Sequence, residues 1–218
     1  MLLTLDISVF TTIVRIMEKK INNQILHKAL NMLNELLERH NEQPCSFVVC
    51  GGSALIATDL VTRTTKDIDI LGQVVPEGIV PLNELPEIIR ELSEAIAEEL
   101  NFPKDWFNTG PSSMLNVKLP NYGLPDGFKN RLIEHQYGSK LTIFFISRID
   151  QIFFKTYAAV DKGGPTYHSE DLLKLKPSSE EILQAAHWSM NQDPSHPFKI
   201  SLIQMLESLG FKDVAEQL

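Results

Sequence analysis

The stretch Cys50-Gly51-Gly52-Ser53-Ala54-Leu55, followed by Arg63-Thr-Thr-Lys-Asp-Ile-Asp-Ile70, decides the fold of this chain. The hydrophobic run from Phe47 to Cys50 predicts a buried strand, and the two glycines after it permit a tight turn. The residues from Ser53 to Thr58 predict a helix. Because the first N–H groups of a helix have no intrahelical partners, they favour an anion such as phosphate. The sequence therefore predicts a strand, a glycine turn and an anion site.

Two carboxylates follow within the same region. Asp67 and Asp69 are two residues apart in a run that continues through Ile70 and Leu71, which predicts a strand. Alternate side chains of a strand point to one side, so both carboxylates should emerge together. Two like charges on one side repel each other unless a cation lies between them, and oxygen ligands suit Mg²⁺ held jointly with phosphates. The pattern is typical of metal-dependent phosphoryl or nucleotidyl transfer.

Gly-Gly-Ser followed by Asp-x-Asp on the next strand resembles the nucleotidyltransferase superfamily, which includes polymerase beta and the aminoglycoside nucleotidyltransferases. The stretch from Arg63 to Ile70 looks closest to small bacterial nucleotidyltransferases that include AbiE-type toxins of toxin–antitoxin pairs. The resemblance covers residues 47–71 firmly and 147–175 loosely. It implies an α+β fold, with a mixed β-sheet nucleotidyltransferase core flanked by helices and a helical C-terminal part. The alternative interpretation is an ordinary turn beside a solvated strand edge.

The resemblance also implies roles for individual residues. Asp67 and Asp69 would be catalytic and would hold Mg²⁺, and a nucleoside triphosphate would be bound by Gly51, Gly52, Ser53, Arg63 and Lys66. Polymerase-like members use a third carboxylate from a later strand. Glu134 is the strand candidate for that carboxylate, and Asp171 is the other candidate.

A second, looser match follows Ser147, which is expected to cap a helix. Lys155 and Ala158 match a Lys-x-x-Ala setting of the toxin-like relatives, and Asp171 lies early in the next predicted helix. Lys155 stands among apolar residues, so its ammonium needs a phosphate or carboxylate partner, unless the side chain extends from a core helix to solvent. Asp171 is either catalytic or simply favoured near the start of a helix by the helix dipole.

The composition limits the class of protein. The chain has 218 residues, 43% of them hydrophobic, which supports a real core. Its formal net charge is −8, from 20 Lys and Arg against 28 Asp and Glu, so no bulk attraction to nucleic acid or to an anionic membrane is expected. Cys45 and Cys50 fit a reducing compartment, and Met1 to Arg15 lacks the basic start and cleavage site of a signal peptide. We therefore expect a soluble, cytoplasmic protein that does not enter a membrane.

The remaining patterns predict the order of elements. A short helix is expected within residues 1–20. Apolar spacing predicts a helix from Ile21 to His40 and a second one that Asn83 caps, with Pro86 in its first turn. Strands are predicted at 114–119 and in a hairpin over 131–146. Loops are predicted at 76–81 and 101–111, and a short helix is the alternative for 101–111. Everything after 147 is predicted helical. We thus expect a nucleotidyltransferase-like core over 1–146, including the N-terminal helices, and a helical C-terminal region over 147–218.

The sequence leaves three functions open. The first is transfer of a nucleoside monophosphate to an RNA acceptor such as tRNA, or to a protein, as the toxin partner of an antitoxin. The second is transfer to a small hydroxylated molecule such as an aminoglycoside, which an acidic protein attracts. The third is a catalytically inactive nucleotide-binding or partner-binding module.

Overall fold

A mixed β-sheet forms the centre of the molecule. The computed structural model describes residues 19–115, 123–161 and 166–218. Within these ranges six strands run in the order β3-β2-β1-β6-β5, and β4 pairs with β2 beside that path. The strands are β1 (Cys45–Cys50), β2 (Ile68–Val75), β3 (Gly78–Val80), β4 (Phe107–Asn108), β5 (Ile133–Gln136) and β6 (Leu141–Phe145). The sheet is mixed, because β1 pairs antiparallel with β2 but parallel with β6.

Pairing of β1 with β2 places the sequence motif at one end of the sheet. Val49 lies opposite Ile70, and Cys50 lies opposite Asp69. The predicted adjacency of these two strands is confirmed, and so is the predicted hairpin, because β5 and β6 pair antiparallel. Since β1 ends where β2 begins, the glycine turn lies beside the two carboxylates.

Helices cover the sheet and make up the C-terminal part of the chain. They are α1 (Asn23–Arg39), α2 (Gly51–Ala57), α3 (Glu87–Leu100), α4 (Arg148–Asp161), α5 (Tyr167–Lys174), α6 (Ser179–Gln192), α7 (His196–Ser208) and α8 (Lys212–Ala215). Short 3-10 helices occupy Gly110–Leu115 and Phe128–Arg131. The predicted α+β class with a helical C-terminal part is confirmed. In the described part of the chain, no helix is long and apolar enough to cross a membrane.

Two apolar cores are present. One contains the sheet with α1 and α3, and the other lies among the C-terminal helices. Leu55 and Ile56 of α2 belong to the second core, and α4 contributes Phe154 to the first core and Ile152 to the second. The boundary between residues 146 and 147 stays a prediction.

Several local predictions were wrong. Residues 76–81 are not all loop, because Gly78, with a φ of +140°, lets β3 turn back and pair with β2. Met114 and Leu115 end a 3-10 helix instead of beginning a strand, and 116–119 lie outside the described residues. Pro86 is the N-cap of α3, so Asn83 does not cap it. The irregular segment 101–111 contains β4, and the helix expected within 1–20 lies almost wholly outside the described residues.

Candidate active site

The turn between β1 and α2 needs glycine at both of its positions. Gly51 has a φ of +69°, and a Cβ atom there would lie 2.5 Å from Asp69 Oδ2. A Cβ atom on Gly52 would lie 2.8 Å from Arg63 Nη2 and 3.1 Å from Thr65 Oγ1. Residues other than glycine rarely adopt the φ of Gly51, and a Cβ at either position would require Asp69, Arg63 or Thr65 to move. The glycines therefore let charged side chains approach the backbone at the start of α2.

Two polar neighbours orient the carboxylates of Asp67 and Asp69. Thr65 Oγ1 donates a hydrogen bond of 3.0 Å to Asp67 Oδ1, and Asn108 Nδ2 donates one of 3.4 Å to Asp69 Oδ1. Asn108 reaches this position because β4 pairs with β2 and sets Asn108 opposite Asp69. Each carboxylate thus has one neutral side-chain donor that orients it.

The charged form of Asp69 is disfavoured in this setting. Burial, followed by the negative charge of Asp67, raises the pKa of Asp69 to about 6, and the hydrogen bond from Asn108 and the charge of Lys155 do not cancel the shift. Among the described residues, neither Asp67 nor Asp69 forms a salt bridge with a Lys or Arg. A cation bound between Asp67 and Asp69 would therefore be stabilised by two negative charges that no Lys or Arg salt bridge compensates.

Asp171 is held by two basic side chains. Arg63 donates from Nε and Nη2 to the Asp171 carboxylate at 3.0 and 2.8 Å, and Lys155 Nζ donates to Oδ2 at 2.9 Å. Lys155 and Asp171 are only 3% and 1% exposed. Burial alone would raise the pKa of Asp171, but the Lys155 ammonium and the Arg63 guanidinium outweigh it and lower that pKa. Asp171 thus anchors two cations, and its charge is already compensated.

These groups surround a cavity of about 550 Å³. It is lined by basic, acidic and small polar residues: Lys20, Gly51, Gly52, Arg63, Thr64, Thr65, Lys66, Asp67, Asp69, Lys155, Tyr167 and His168. Tyr167 is 60% exposed, and its ring centroid lies 5.7 Å from Lys155 Nζ. The cavity thus brings together the glycine turn, two carboxylates without a salt-bridge partner and several basic side chains. Carboxylates suit a divalent metal, and basic side chains and free N–H groups suit a polyphosphate.

Most of the site residues predicted from sequence lie together in this cavity: Gly51, Gly52, Arg63, Lys66, Asp67, Asp69 and Lys155. Asp171 does not line it but contacts Arg63 and Lys155. The Ser53 side chain is buried and donates to the Cys50 carbonyl at 3.2 Å, so its hydroxyl does not face the cavity as expected. The catalytic and binding roles themselves stay predictions.

Glu134 is not placed to act as a third carboxylate. It is exposed on β5, opposite Phe144, and β6 and β1 separate β5 from β2 in the sheet. Glu134 does not line the cavity. The distance between Glu134 and the site depends on strand order, which has no local signal in the sequence.

Sequence reasoning overlooked several residues of the site. Lys20 and Tyr167 line the cavity, Thr65 and Asn108 orient the carboxylates, and Gln151 donates from Nε2 to the Gly51 carbonyl at 3.2 Å. Thr65 lies within the quoted motif, and Gln151 precedes Lys155 by one helical turn, so helical spacing could have indicated it. Asn108 had no such signal, because β4 has only two residues.

A search of curated proteins finds no significant match. One solved structure is similar, the crystal structure of an antigenic nucleotidyltransferase-like protein from Paracoccidioides brasiliensis, with 11% sequence identity and a TM-score of 0.48 over 91% of this chain and 95% of that chain. A family model matches residues 24–178, well over half of the chain. The chain therefore belongs to the family described as nucleotidyltransferase of unknown function (DUF6036).

Proposed function

We propose that this protein transfers a nucleoside monophosphate from a nucleoside triphosphate to an acceptor hydroxyl, with Mg²⁺ as cofactor. The observation that carries the proposal is the pair Asp67 and Asp69, which faces the cavity beside the Gly51-Gly52 turn. Among the described residues this pair has no basic ion-pair partner, and burial, followed by the charge of Asp67, raises the pKa of Asp69. A cation held there would relieve that repulsion.

The donor set fits Mg²⁺. Within the described ranges no group of three or more His, Cys, Asp or Glu residues is arranged to hold a metal ion, so a site made wholly of side chains is absent there. Mg²⁺ commonly uses one or two carboxylates and completes its shell with water and substrate phosphates. Asp67 and Asp69 would supply the carboxylates. When bound, the metal would neutralise charge on the phosphates and lower the pKa of the acceptor hydroxyl.

The chain's own groups position the triphosphate. The N–H groups that follow the Gly51-Gly52 turn offer donors to phosphate oxygens, and Lys66, an exposed residue that lines the cavity, adds a positive charge. Arg63 and Lys155 are held by Asp171, so they present fixed charges at the wall without reorganisation. Fixed charges and in-line positioning are what this reaction requires, because it needs no covalent help from the protein.

The test is pyrophosphate release with α-labelled nucleoside triphosphates, Mg²⁺ and total tRNA or an aminoglycoside mixture as acceptor. Wild-type protein should release pyrophosphate and transfer label, and Asp67→Asn and Asp69→Asn should each lower the rate at least about a hundredfold. Glu134→Gln is the matched control, because it removes a carboxylate of the same sheet outside the cavity. Full activity in both Asp variants would contradict the proposal.

A second candidate function is nucleotide binding without transfer. It is favoured because neither candidate for the third carboxylate is available in the cavity. The charge of Asp171 is compensated by Arg63 and Lys155, and Glu134 lies away from the cavity. Among the described residues, the carboxylates that line the cavity are then Asp67 and Asp69. Mg²⁺-dependent nucleotide binding by calorimetry, with no pyrophosphate released for any acceptor, would support this function over the first.

The acceptor and the biological role remain part of the proposal. If the acceptor is an RNA or a protein, the protein would act as a toxin that an antitoxin protein neutralises. If the acceptor is an aminoglycoside, the protein would be a small-molecule transferase. A cytoplasmic setting accords with Cys45 and Cys50, both free thiols. Transfer of label to tRNA, to a protein band or to an aminoglycoside separates these acceptors in one assay.

A further inference from the structure

A second, smaller cavity opens beside the first. It has a volume of about 140 Å³ and shares Gly51, Asp69, Lys155 and His168 with the larger cavity. Its other walls are largely apolar, formed by residues that include Cys50, Pro111, Met114, Phe154 and Ala158. Burial raises the pKa of the Cys50 thiol well above its usual value, so that wall carries no charge at neutral pH. An apolar recess that borders a metal-binding carboxylate suits a flat, uncharged group attached to the phosphates.

Gln151 supplies a polar group to this recess. The residue is fully buried on α4, lines the small cavity and lies one helical turn before Lys155. Its Nε2 donates to the Gly51 carbonyl at 3.2 Å. Because a carbonyl oxygen only accepts, this contact fixes the orientation of the amide and leaves Oε1 as the group to be satisfied.

The Oε1 atom of Gln151 is buried and has no hydrogen-bond partner among the described residues. Buried polar atoms are nearly always paired, and an unpaired one costs free energy. A ligand that brings an N–H donor into the cavity would remove that cost. The recess therefore combines a largely apolar wall for a ring with a buried acceptor, Gln151 Oε1, that has no partner among the described residues.

We infer that this cavity receives the base of the nucleoside triphosphate, and that Gln151 Oε1 accepts a hydrogen bond from the exocyclic amino group of cytosine. The inference rests on the proposed function. A cavity of about 150 Å³ holds one benzene-sized ring, so 140 Å³ suits a pyrimidine. Uracil would place a carbonyl oxygen against Oε1, where two acceptors repel. Asp69, shared by both cavities, lies where the base and the phosphates meet.

The experiment measures the affinity of the full chain, with Mg²⁺, for four triphosphates by calorimetry. These are CTP, UTP, ATP and the pyrimidin-2-one riboside triphosphate, which is CTP without its amino group. Wild-type protein should bind CTP about tenfold more tightly than UTP or the pyrimidin-2-one compound, and more tightly than ATP. In Gln151→Met that ratio should fall to about one. Because the ratio compares ligands on one protein, any general effect of losing the contact with Gly51 cancels from it.

Thr156→Val is the matched control. It removes another buried side chain of α4 whose hydroxyl has no hydrogen-bond partner among the described residues, and Thr156 lines neither cavity. The CTP preference should survive in this variant. A wild-type ratio of one, a ratio unchanged in Gln151→Met, or tighter binding of ATP than of CTP would each overturn the inference. Equal binding of all nucleotides would leave the proposed function standing, whereas absence of any Mg²⁺-dependent nucleotide binding would overturn both.

Discussion

Asp69 is the residue whose ionisation opposes folding. Its pKa in the folded protein is about 6, raised by burial and by Asp67 from an ordinary value of 3.8. Between these two values the folded state binds more protons than the unfolded state, so this contribution to stability is greatest below pH 4 and is lost as pH rises through 6. The full effect is at most about 3 kcal/mol.

Asp69→Asn should therefore raise the free energy of unfolding at pH 7 in the presence of EDTA, and the gain should vanish near pH 4. Asp67→Asn should hold or raise stability for the same reason, because it removes the neighbouring charge. Urea unfolding of wild type and Asp69→Asn across pH 4 to 8 measures the difference, and carboxyl groups that do not interact with Asp69 cancel from it. A variant less stable than wild type at pH 7 would show that the charged form of Asp69 is favoured.

Lys155 combines a structural and a functional contribution. From the sequence alone, Lys155→Met would cost little stability, since the apolar stem is kept. The structure changes that expectation, because Lys155 is buried and paired with Asp171. Removing one partner of a buried pair leaves the other charge less compensated, although Arg63 stays.

Lys155→Met should thus destabilise the protein by about 2 kcal/mol and weaken nucleotide binding about a hundredfold. A double-mutant cycle with Asp171→Asn, followed by urea unfolding, should give a coupling energy of at least about 1 kcal/mol. Additive effects would show that the contact contributes nothing. Unchanged nucleotide affinity in Lys155→Met would remove Lys155 from the binding site.

Among the elements, the turn from β1 into α2 has both a strained backbone at Gly51 and a close contact with a carboxylate of the site. An alanine at Gly51 would suffer from the positive φ and would also push against the Asp69 carboxylate. Gly210 provides a matched control, because its φ is +92° and nothing lies within 4 Å of a Cβ there. The two positions share backbone strain, and Gly51 alone has the contact with a carboxylate.

Both alanine variants should lose about 1 kcal/mol of stability from strain. Gly51→Ala should lose further stability from the contact with the Asp69 carboxylate, and it should weaken Mg²⁺-dependent nucleotide binding at least about tenfold. Gly210→Ala should bind nucleotide like wild type. Thermal melts with and without MgATP, beside calorimetric titration, make the comparison. Equal nucleotide affinity in the two variants would show that the turn does not approach the ligand.

The elements that sequence predicted correctly have local signals. The strand β1, the glycine turn and the Asp-x-Asp run follow from composition and spacing over a few residues, and α1 and α3 follow from their apolar faces. The strands β3 and β4 were missed because two or three residues carry no period, and both exist only through pairing with β2. Asn108 was therefore invisible, as were the contacts of Asp171 with Arg63 and Lys155, which depend on tertiary packing.

At the scale of the whole molecule, the site lies where the two apolar cores meet. α2 begins at the glycine turn and buries Leu55 and Ile56 in the core of the C-terminal helices. α4 contributes to both cores and carries Gln151 and Lys155 into the cavities. Neither core can unfold alone without removing one wall of the site.

Unfolding should accordingly be a single cooperative transition, although the sequence predicts two regions. Leu55→Ala removes a fully buried side chain of the second core and should cost about 2–5 kcal/mol. Because α2 starts at the site, this variant should also lose nucleotide affinity, whereas Leu33→Ala, equally buried on α1 in the first core, should lose stability with less effect on binding. Calorimetric melts with and without Mg²⁺ and nucleotide test this. Two transitions, of which the ligand shifts only one, would instead establish 1–146 and 147–218 as separate domains.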